Sequence, residues 1–519
     1  MTTVGLLAID VGTQSVRALV FDPTGHLLAK AQVPLDPPYF SLQPGWAEQD
    51  PEVYWNAIVT ACRELWSSGP VRVEDIAGLT LTTMRATPVC ADEDGRARRP
   101  ALVWLDQRHA TKLPALGPLL NVAFALAGAG RLIRHAQVEA EANWFAEHEA
   151  EAWRATPRYT LLSGWLCRRL VGAWVDSAGG QVGYLPFDYK RQTWAGPYDF
   201  KWRAFSVRPA QLPHLVAPGG SLGVLTAASA AALGLRADLP VIAAAADKAC
   251  EVLGSGAFAA DVAQLSFGTS ATINTTQPRY VEVQRLLPAY PAALPGAFLT
   301  EIQIYRGFWM VSWFKREFAH RETLLAATRG VAVESLFDDL VNSVPAGSMG
   351  LTLQPYWSPG VRDPGPEAKG AIIGFGDVHT RAHLYRAILE GLAYSLRAGR
   401  DTIQKKLGRP ITRVIASGGG SQSDAAMQIT ADVFGQPVER PEIYETSGLG
   451  AAINLAVGLG LHADYPRAVA AMTRTGRIFE PQSEAASVYD ALYKDVYKEL
   501  YPRLRPLYRS IRRITGYPG

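Results

Sequence analysis

At 519 residues the chain is well beyond the roughly 250–300 at which one hydrophobic core stops growing, so two large domains are expected. Hydrophobic residues at 48% and charged residues at 19% exclude a disordered scaffold. A net charge of +3, with its basic side chains scattered, is too small for a chain of this size to imply nucleic acid, and none is expected as a partner.

In chain order, an apolar run Val4–Ile9 ends at Asp10 and is followed by Gly12-Thr13-Gln14-Ser15. A second run, Val16–Phe21, meets the turn sequence Asp22-Pro23-Thr24-Gly25 before Leu27–Val33. These predict an antiparallel sheet with an acid at its first turn. Pro51–Leu65 and Ala382–Lys406 have helical periodicity, whereas Ala77–Thr82, Leu239–Ala245 and Arg413–Ala416 read as strands, so the class is α/β. Ala263–Asn274 repeats the pattern of the start, an apolar segment, a Gly-Thr-Ser turn and a second apolar segment. That echo suggests two related domains with a boundary near 250–260. The basic run from Arg503 to Arg513 reads as a solvated last helix.

Four groups of residues point to chemistry. In Asp10-Val11-Gly12-Thr13-Gln14-Ser15-Val16-Arg17, the glycine turn offers backbone amides to an anion, and Thr13, Gln14 and Ser15 add side-chain donors. Asp10 is a candidate magnesium ligand and Arg17 a phosphate contact, with an ordinary polar hairpin as the bland alternative. Pro240–Ala246 delivers Asp247 to a strand end, where a carboxylate can take the proton of an attacking hydroxyl; a buried helix cap is the alternative. Gly268-Thr269-Ser270 and Gly418-Gly419-Gly420-Ser421-Gln422-Ser423 are turns on which a nucleotide can lie against bare backbone, although neither standard nucleotide fingerprint occurs. Arg85 and Asp106 are placed to hydrogen-bond a polyhydroxylated ligand with Trp104 as an apolar wall, structural ion pairing being the rival reading for both charges.

Cys62, Cys90, Cys167 and Cys250 are widely spaced among apolar neighbours, as reduced buried thiols are. The opening MTTVGLLAIDVG lacks a basic leader region, and no later run of about 20 apolar residues offers a membrane span, so a cytoplasmic protein is expected. The nine histidines are read as lacking zinc-ligand spacing.

With these residues in view, the chain resembles the FGGY family of carbohydrate kinases from about residue 4 to about 480. The resemblance rests on ordered blocks: IDVGTQSVRALVFD at 9–22, PGWAEQDPEVYW at 44–55, LTTMRATPV at 81–89, VWLDQR at 103–108, ADKACEVLGSG at 246–256, SFGTS at 266–270, GAIIGFGDVHTRAHLYRAILEG at 370–391 and SGGGSQS at 417–423. It implies an actin/hexokinase-like fold, two RNase H-like domains about a central cleft. An N-terminal domain of residues 1–254 would carry the sugar and the base, and a C-terminal domain of 255–485 the nucleotide, with 486–519 a helical tail. It also implies ATP and Mg2+ as cofactors and a small sugar or polyol as substrate, and leaves a homodimer open. Asp247 then looks like the catalytic base and, with Asp10, a metal ligand; Gly12, Thr13, Gln14, Ser15 and Arg17 look like the phosphate end. Gly268, Thr269, Gly307, Gly418, Gly419, Gly420 and Ser423 look like the nucleotide pocket, and Arg85, Trp104, Asp106 and Lys248 like the sugar side.

Departures bear on the substrate. Thr83-Met84-Arg85-Ala86 stands where glycerol kinases have Asn-Gln-Arg-Glu and where xylulose kinases have a Gly-Gln-Met-His-like block. Two possible hydroxyl contacts are thereby lost, which disfavours glycerol; the alternative is that Met84 points into the core behind the strand, where its lack of polarity says nothing about specificity. Glu141 takes the place of a usual lysine, and Phe375 that of an aliphatic residue. The resemblance is nearest to the YgcE-like subgroup of undefined substrate, so a pentulose, hexulose or sugar alcohol is expected. A specific xylulose or glycerol kinase is the alternative, and a non-catalytic sugar sensor the distant one.

Overall fold

The computed structural model describes residues 4–360 and 364–517. The chain forms two compact units. The first takes the described residues up to Gly256 together with Gln277–Leu299 and Glu445–Thr473; the second takes Ala257–Thr276, Thr300–Tyr444 and the described residues from Arg474 on. Two stretches from beyond the midpoint of the sequence thus belong to the first unit, where the sequence alone suggested one clean boundary.

In the first unit, β1 (Gly5–Val11), β2 (Ser15–Phe21) and β3 (Leu27–Pro34) form the expected antiparallel meander, followed by α1 (Pro51–Ser68). Then come β4 (Ile76–Thr83), β5 (Ser221–Val224), β6 (Pro240–Ala243) and α2 (Asp247–Gly254). The six strands make one sheet in the order β5-β6-β4-β1-β2-β3. β1 runs parallel to β4, with Asp10 opposite Thr82, and β4 runs parallel to β6, with Leu81 opposite Ala243. Their C-terminal ends therefore share one edge, the usual position of a site in a parallel α/β sheet.

Both faces of this sheet are covered, which is why β1 and β6 read as unbroken apolar runs. Leu7, Ile9, Val11, Leu79 and Val241 share a core with Tyr54, Ile58, Cys62 and Leu65 of α1. That helix starts sharply because Asp50 accepts the backbone N–H of Glu52 at 3.0 Å and Pro51 is its first residue. The Thr446–Gly458 helix, with Leu449, Ile453 and Leu455 fully buried, packs on β1, β4 and α2. Its approach to α2 is backbone on backbone: a Cβ on Gly450 would lie 1.9 Å from the Cys250 carbonyl oxygen, and one on Gly254 would lie 2.0 Å from that of Thr446. The four cysteines are free and buried. Burial pushes the thiols of Cys62, Cys90 and Cys250 up to about 12.

The second unit repeats the plan. β7 (Val262–Phe267) and β8 (Ala271–Gln277) are an antiparallel pair closed by Gly268-Thr269-Ser270, and β7 runs parallel to β10 (Arg413–Ser417). In the same sheet β9 (Phe298–Ile304) lies outside β8, and β11 (Val438–Pro441) and β12 (Thr475–Phe479) lie beyond β10. The Gly-Thr-Ser echo thus corresponds to a repeated local topology, a hairpin whose first strand later gains a parallel neighbour. The long helix α3 (Arg381–Leu407) and α4 (Asp424–Phe434) cover this sheet.

The last helix, Lys498–Thr515, differs from a simple solvated one. Arg505 and Arg509 turn toward Glu367, at 2.6 and 3.8 Å, while Leu507, Ile511 and Ile514 face solvent. Among the described residues no helix is long and apolar enough to cross a membrane.

Candidate active site

The edge where β1, β4 and β6 end gathers the acids of the first unit. Asp10 lies next to last in β1, with Arg17 directly opposite on β2, and the guanidinium reaches the Asp10 carboxylate at 2.9 Å. Burial, helped by the charges of Asp247 and Glu445 and opposed by Arg17, leaves the Asp10 carboxyl raised to about 6. Asp247 opens α2, and its Oδ1 accepts the backbone N–H of Lys248 at 2.7 Å. Burial raises the Asp247 carboxyl above its ordinary value, against the opposing pull of Lys248 and Arg85. The rival reading of Asp247 as a helix cap fits only in part, because the cap position itself is Ala246.

The loop between Asp10 and Arg17 is tied down on several sides. Gly12 N–H donates to the Ser15 carbonyl at 3.1 Å, and the carbonyl of exposed Gln14 accepts from Leu35 N–H at 2.8 Å. The Thr13 hydroxyl accepts the Trp104 indole N–H at 2.8 Å and donates to Met84 Sδ at 3.4 Å. The Ser15 hydroxyl accepts from Gln32 Nε2 at 3.3 Å, so it is partly committed within the protein. Trp104 therefore braces the loop after β1, with 42% of its surface exposed. Met84 belongs to the hydrophobic core, the second of the two readings open for it, so its lack of polarity carries no information about the substrate.

Asp106 also departs from expectation. One oxygen accepts from Arg108 N and Nε, and the other from Arg108 Nη2 and from Ala47 N–H, at distances of 2.7–3.0 Å. Arg108 lies 3.8 Å over the Trp46 ring and pairs with Glu48. The carboxylate of Asp106 is thus spent on internal structure, and the ion-pair reading is the one the geometry favours. Burial, helped by nearby Glu139 and Asp106, lifts Glu141 at the start of the Glu141–His148 helix to about 8, leaving it protonated at neutral pH. Arg85 lies 5.1 Å over the ring of Tyr290, a residue of the Gln277–Leu299 excursion. Lys248 Nζ pairs with Glu251 at 2.9 Å.

Sequence reasoning missed two members of this constellation, Tyr290 and Glu445. Glu445, at the start of the second excursion, holds Lys30 in an ion pair and stands 3.7 Å from Arg17 Nε. Charges alternate along Lys30, Glu445, Arg17 and Asp10. Tyr290 and Glu445 lie far from the N-terminal motifs in sequence, and no local pattern marks either one.

In the second unit the two glycine turns lie at the ends of neighbouring parallel strands, β7 and β10. The carbonyls of Gly268 and Thr269 accept the N–H groups of Phe308 and Trp309, and Gly307 packs against the backbone of Ser270 and Ala271. Gly418, Gly419 and Gly420 follow β10 and lead into α4. The hydroxyl of Ser423 accepts from Ala426 N–H at 3.1 Å and donates to Asp338 at 2.6 Å, so it is the cap of α4. Ser417, Gly418, Ser421, Gln422, Arg440 and Tyr444 line a cavity of about 280 Å3. Arg440, which sequence reading also missed, shapes it by donating to the Ser421 carbonyl and to Asp424.

His379 and His383 are in fact four residues apart, with ring centroids 5.3 Å from each other. Each Nδ1 accepts a backbone N–H, from Gly376 and Thr380 respectively. The proton of each neutral ring then sits on Nε2, which leaves no lone pair there for a metal.

Comparison with known proteins follows the same order along the chain. Residues 6–254 match the N-terminal domain, and residues 263–459 the C-terminal domain, of the FGGY family of carbohydrate kinases. The uncharacterized sugar kinase YgcE of Escherichia coli (strain K12) is 30% identical over 94% of this chain and 91% of its own. The glycerol kinase of Methylibium petroleiphilum (strain ATCC BAA-1232 / LMG 22953 / PM1) is 30% identical over 92% and 95%. The crystal structure of the xylulose kinase from Rhodospirillum rubrum, 28% identical, superposes with a TM-score of 0.80 over 97% of this chain and 100% of that one. Since both halves are matched in order and the two-domain α/β fold is shared along the length, this chain belongs to the FGGY family and is a kinase of carbohydrates or polyols.

Proposed function

We propose that the chain transfers the γ-phosphoryl group of ATP to a hydroxyl of a free ketose or polyol, with Asp247 as proton acceptor and with Asp10 and Arg17 at the phosphate end. One observation carries this reading: Asp10 and Asp247 come from the C-terminal ends of two parallel strands, β1 and β6, that flank β4 in one sheet, close enough that the charge of Asp247 is felt at Asp10. The acceptor oxygen attacks the γ-phosphorus, the bond from that phosphorus to the β,γ-bridging oxygen breaks, and ADP leaves with the electron pair. The hydroxyl proton passes to Asp247, whose raised affinity for a proton suits the task. Arg17, fixed between Asp10 and Glu445, supplies positive charge to the transferring group.

Magnesium fits the acids present. Among the described residues no three His, Cys, Asp or Glu side chains gather into a cage, but Mg2+ needs only one or two carboxylates when phosphate oxygens and water complete its shell. The buried Asp10 carboxylate is a hard oxygen donor, paired through one oxygen with Arg17 and with the acids Asp247 and Glu445 nearby. Asp10 would hold the ion, with Asp247 beside it. When bound, the ion offsets triphosphate charge during transfer. For the nucleotide, the Gly268–Ser270 turn and the cavity beside Gly418 offer bare backbone and the aromatic ring of Tyr444.

On the acceptor side, support for a five- or six-carbon substrate rests on Arg85 and the face of Tyr290, a cation beside an aromatic wall. It no longer rests on Met84. The test is Mg2+-dependent ADP release across a panel running from glycerol through C4 to C7 ketoses and alditols, repeated with Asp247→Asn. Turnover with the best acceptor should fall about 10²–10⁴-fold in the variant while ADP binding is kept. Wild-type turnover in D247N would sink the assignment, preferential use of glycerol would reject the larger acceptor, and tight sugar binding without ADP release would favour a sensor.

A further inference from the structure

We propose that Asp176 is a positioning residue that fixes the backbone carrying Asp247, through the Ser177–Gln181 loop. The proposal rests on the reading of Asp247 as the proton acceptor. Asp176 is fully buried, and no lysine or arginine pairs with it among the described residues. Its shell consists of neutral donors instead. Ser177 N–H donates to one oxygen at 2.7 Å, while the Ser163 hydroxyl and Gln181 Nε2 donate to the other at 2.8 and 2.7 Å. Gln181 Nε2 also donates to the Ser177 carbonyl at 3.0 Å, so the loop is closed on itself around the carboxylate.

That loop grips the segment just before Asp247. The Ser177 hydroxyl accepts Gly179 N–H at 3.1 Å and donates to the Ala244 carbonyl. Two residues further on, Ala246 N–H donates to the Gly179 carbonyl at 3.1 Å. The contact is backbone-close: a Cβ on Gly179 would lie 2.8 Å from Ala245 Cβ. On the other side, Thr82 of β4 donates its hydroxyl to the Ala245 carbonyl at 2.8 Å. Ala244 to Ala246 is thus held at three successive residues, and one of the two clamps is organised by Asp176. An isolated buried carboxylate is a costly way to stabilise a fold, since desolvation is offset only by neutral donors. Two of these donors, Ser177 N–H and Gln181 Nε2, belong to the loop that sets where Asp247 begins, and the third, Ser163, ties that loop to the Leu162–Val171 helix; displacement of a reacting group by about 1 Å costs on the order of 100-fold in rate.

A double-mutant cycle tests this. Turnover is measured for wild type, Asp176→Asn, Ser177→Ala, Asp247→Asn and the two doubles containing D247N, with the best acceptor of the panel above, or with water as acceptor if none reacts. In Asn, the NH2 group faces donors rather than acceptors, so the loop should loosen. D176N should lower turnover about 10–100-fold, and S177A about 5–20-fold, each with KM for MgATP within about 2-fold of wild type. In the D247N background both substitutions should change turnover less than about 2-fold, because there is no carboxylate left to misplace. Equal losses in both backgrounds, or no loss in either, would overturn the positioning role. If D176N does not fold, S177A, which removes only the hydroxyl joining the loop to Ala244, decides the matter alone. Wild-type turnover in D247N itself would instead remove the reading on which the proposal rests.

Discussion

Asp10 is ionised at neutral pH against the preference of the fold. Its carboxyl titrates near 6 rather than at the ordinary 3.8, so between about pH 4 and 6 the folded chain holds a proton that the unfolded chain has released. Stability from this group is therefore greatest below pH 4 and declines as pH rises through 6; at pH 7 the ionised side chain is a net cost. Asp10→Asn should accordingly raise the melting temperature at pH 7, with the gain vanishing below about pH 4, even though Arg17 then relies on Glu445. Turnover should collapse, and in the wild type the apparent affinity for MgATP should weaken as pH falls through 6. An N variant less stable than wild type at pH 7 would show that the Arg17 pair outweighs desolvation. Residues of this kind were legible: Asp10 and Asp247 each end an apolar run, and an acid at a strand end is a local pattern. Asp176, Glu445 and Tyr290 were not, because their roles depend on partners that meet them only through tertiary pairing. Asp106 was legible as a polar residue near the site, but its commitment to Arg108 and to the Ala47 backbone could be seen only in the folded chain.

The packing of α2 against the Thr446–Gly458 helix converts glycine positions into a functional constraint. Helices this close leave no room for a side chain where they cross, and α2 begins with Asp247. A Cβ at Gly450 would press on the Cys250 carbonyl, in the first turn after Asp247, so relief must come from moving α2. Gly450→Ala is expected to destabilise the protein by about 2–3 kcal/mol and to lower turnover at least about 10-fold at temperatures where it remains folded. Thermal unfolding and saturating kinetics on one preparation check both; a stable but slow variant, or an unstable but fully active one, would break the proposed link between crossing and catalysis. At this scale the sequence was informative wherever a period ran for several turns or residues. α1 and α3 lie within three residues of their expected limits, since amphipathic spacing and caps are local. The crossing itself was not visible, because a glycine in a helical pattern costs propensity whatever it packs against, and only the facing helix explains it.

The first unit is assembled from three separated stretches of chain, and the consequence is that its fold cannot be completed early. Residues up to Gly256 contain all six strands and both proposed acids, yet the sheet face over β1 and β4 is covered by the Thr446–Gly458 helix, nearly 200 residues later. Leu449, Ile453 and Leu455 on that helix are fully buried, each contributing about 1.5–3 kcal/mol, and the strand residues they cover would be laid open as well. Against a typical domain stability of about 5–15 kcal/mol this is most of the margin. Glu445 would be lost with the helix, leaving Lys30 and Arg17 without the carboxylate that now sits between them. A chain truncated after Gly256 is therefore expected to lack a cooperative thermal transition and to bind hydrophobic dyes, whereas the same chain joined through a flexible linker to residues 445–473 should recover a sharp transition. A cooperative transition in the truncated chain alone would mean that the sheet is self-sufficient, and that the helix serves only to bring Glu445 to Arg17. Recovery by a linked segment carrying Glu445→Gln separates these two possibilities: a restored transition without restored Arg17 geometry assigns the helix to the core, and the carboxylate to the phosphate end of the site.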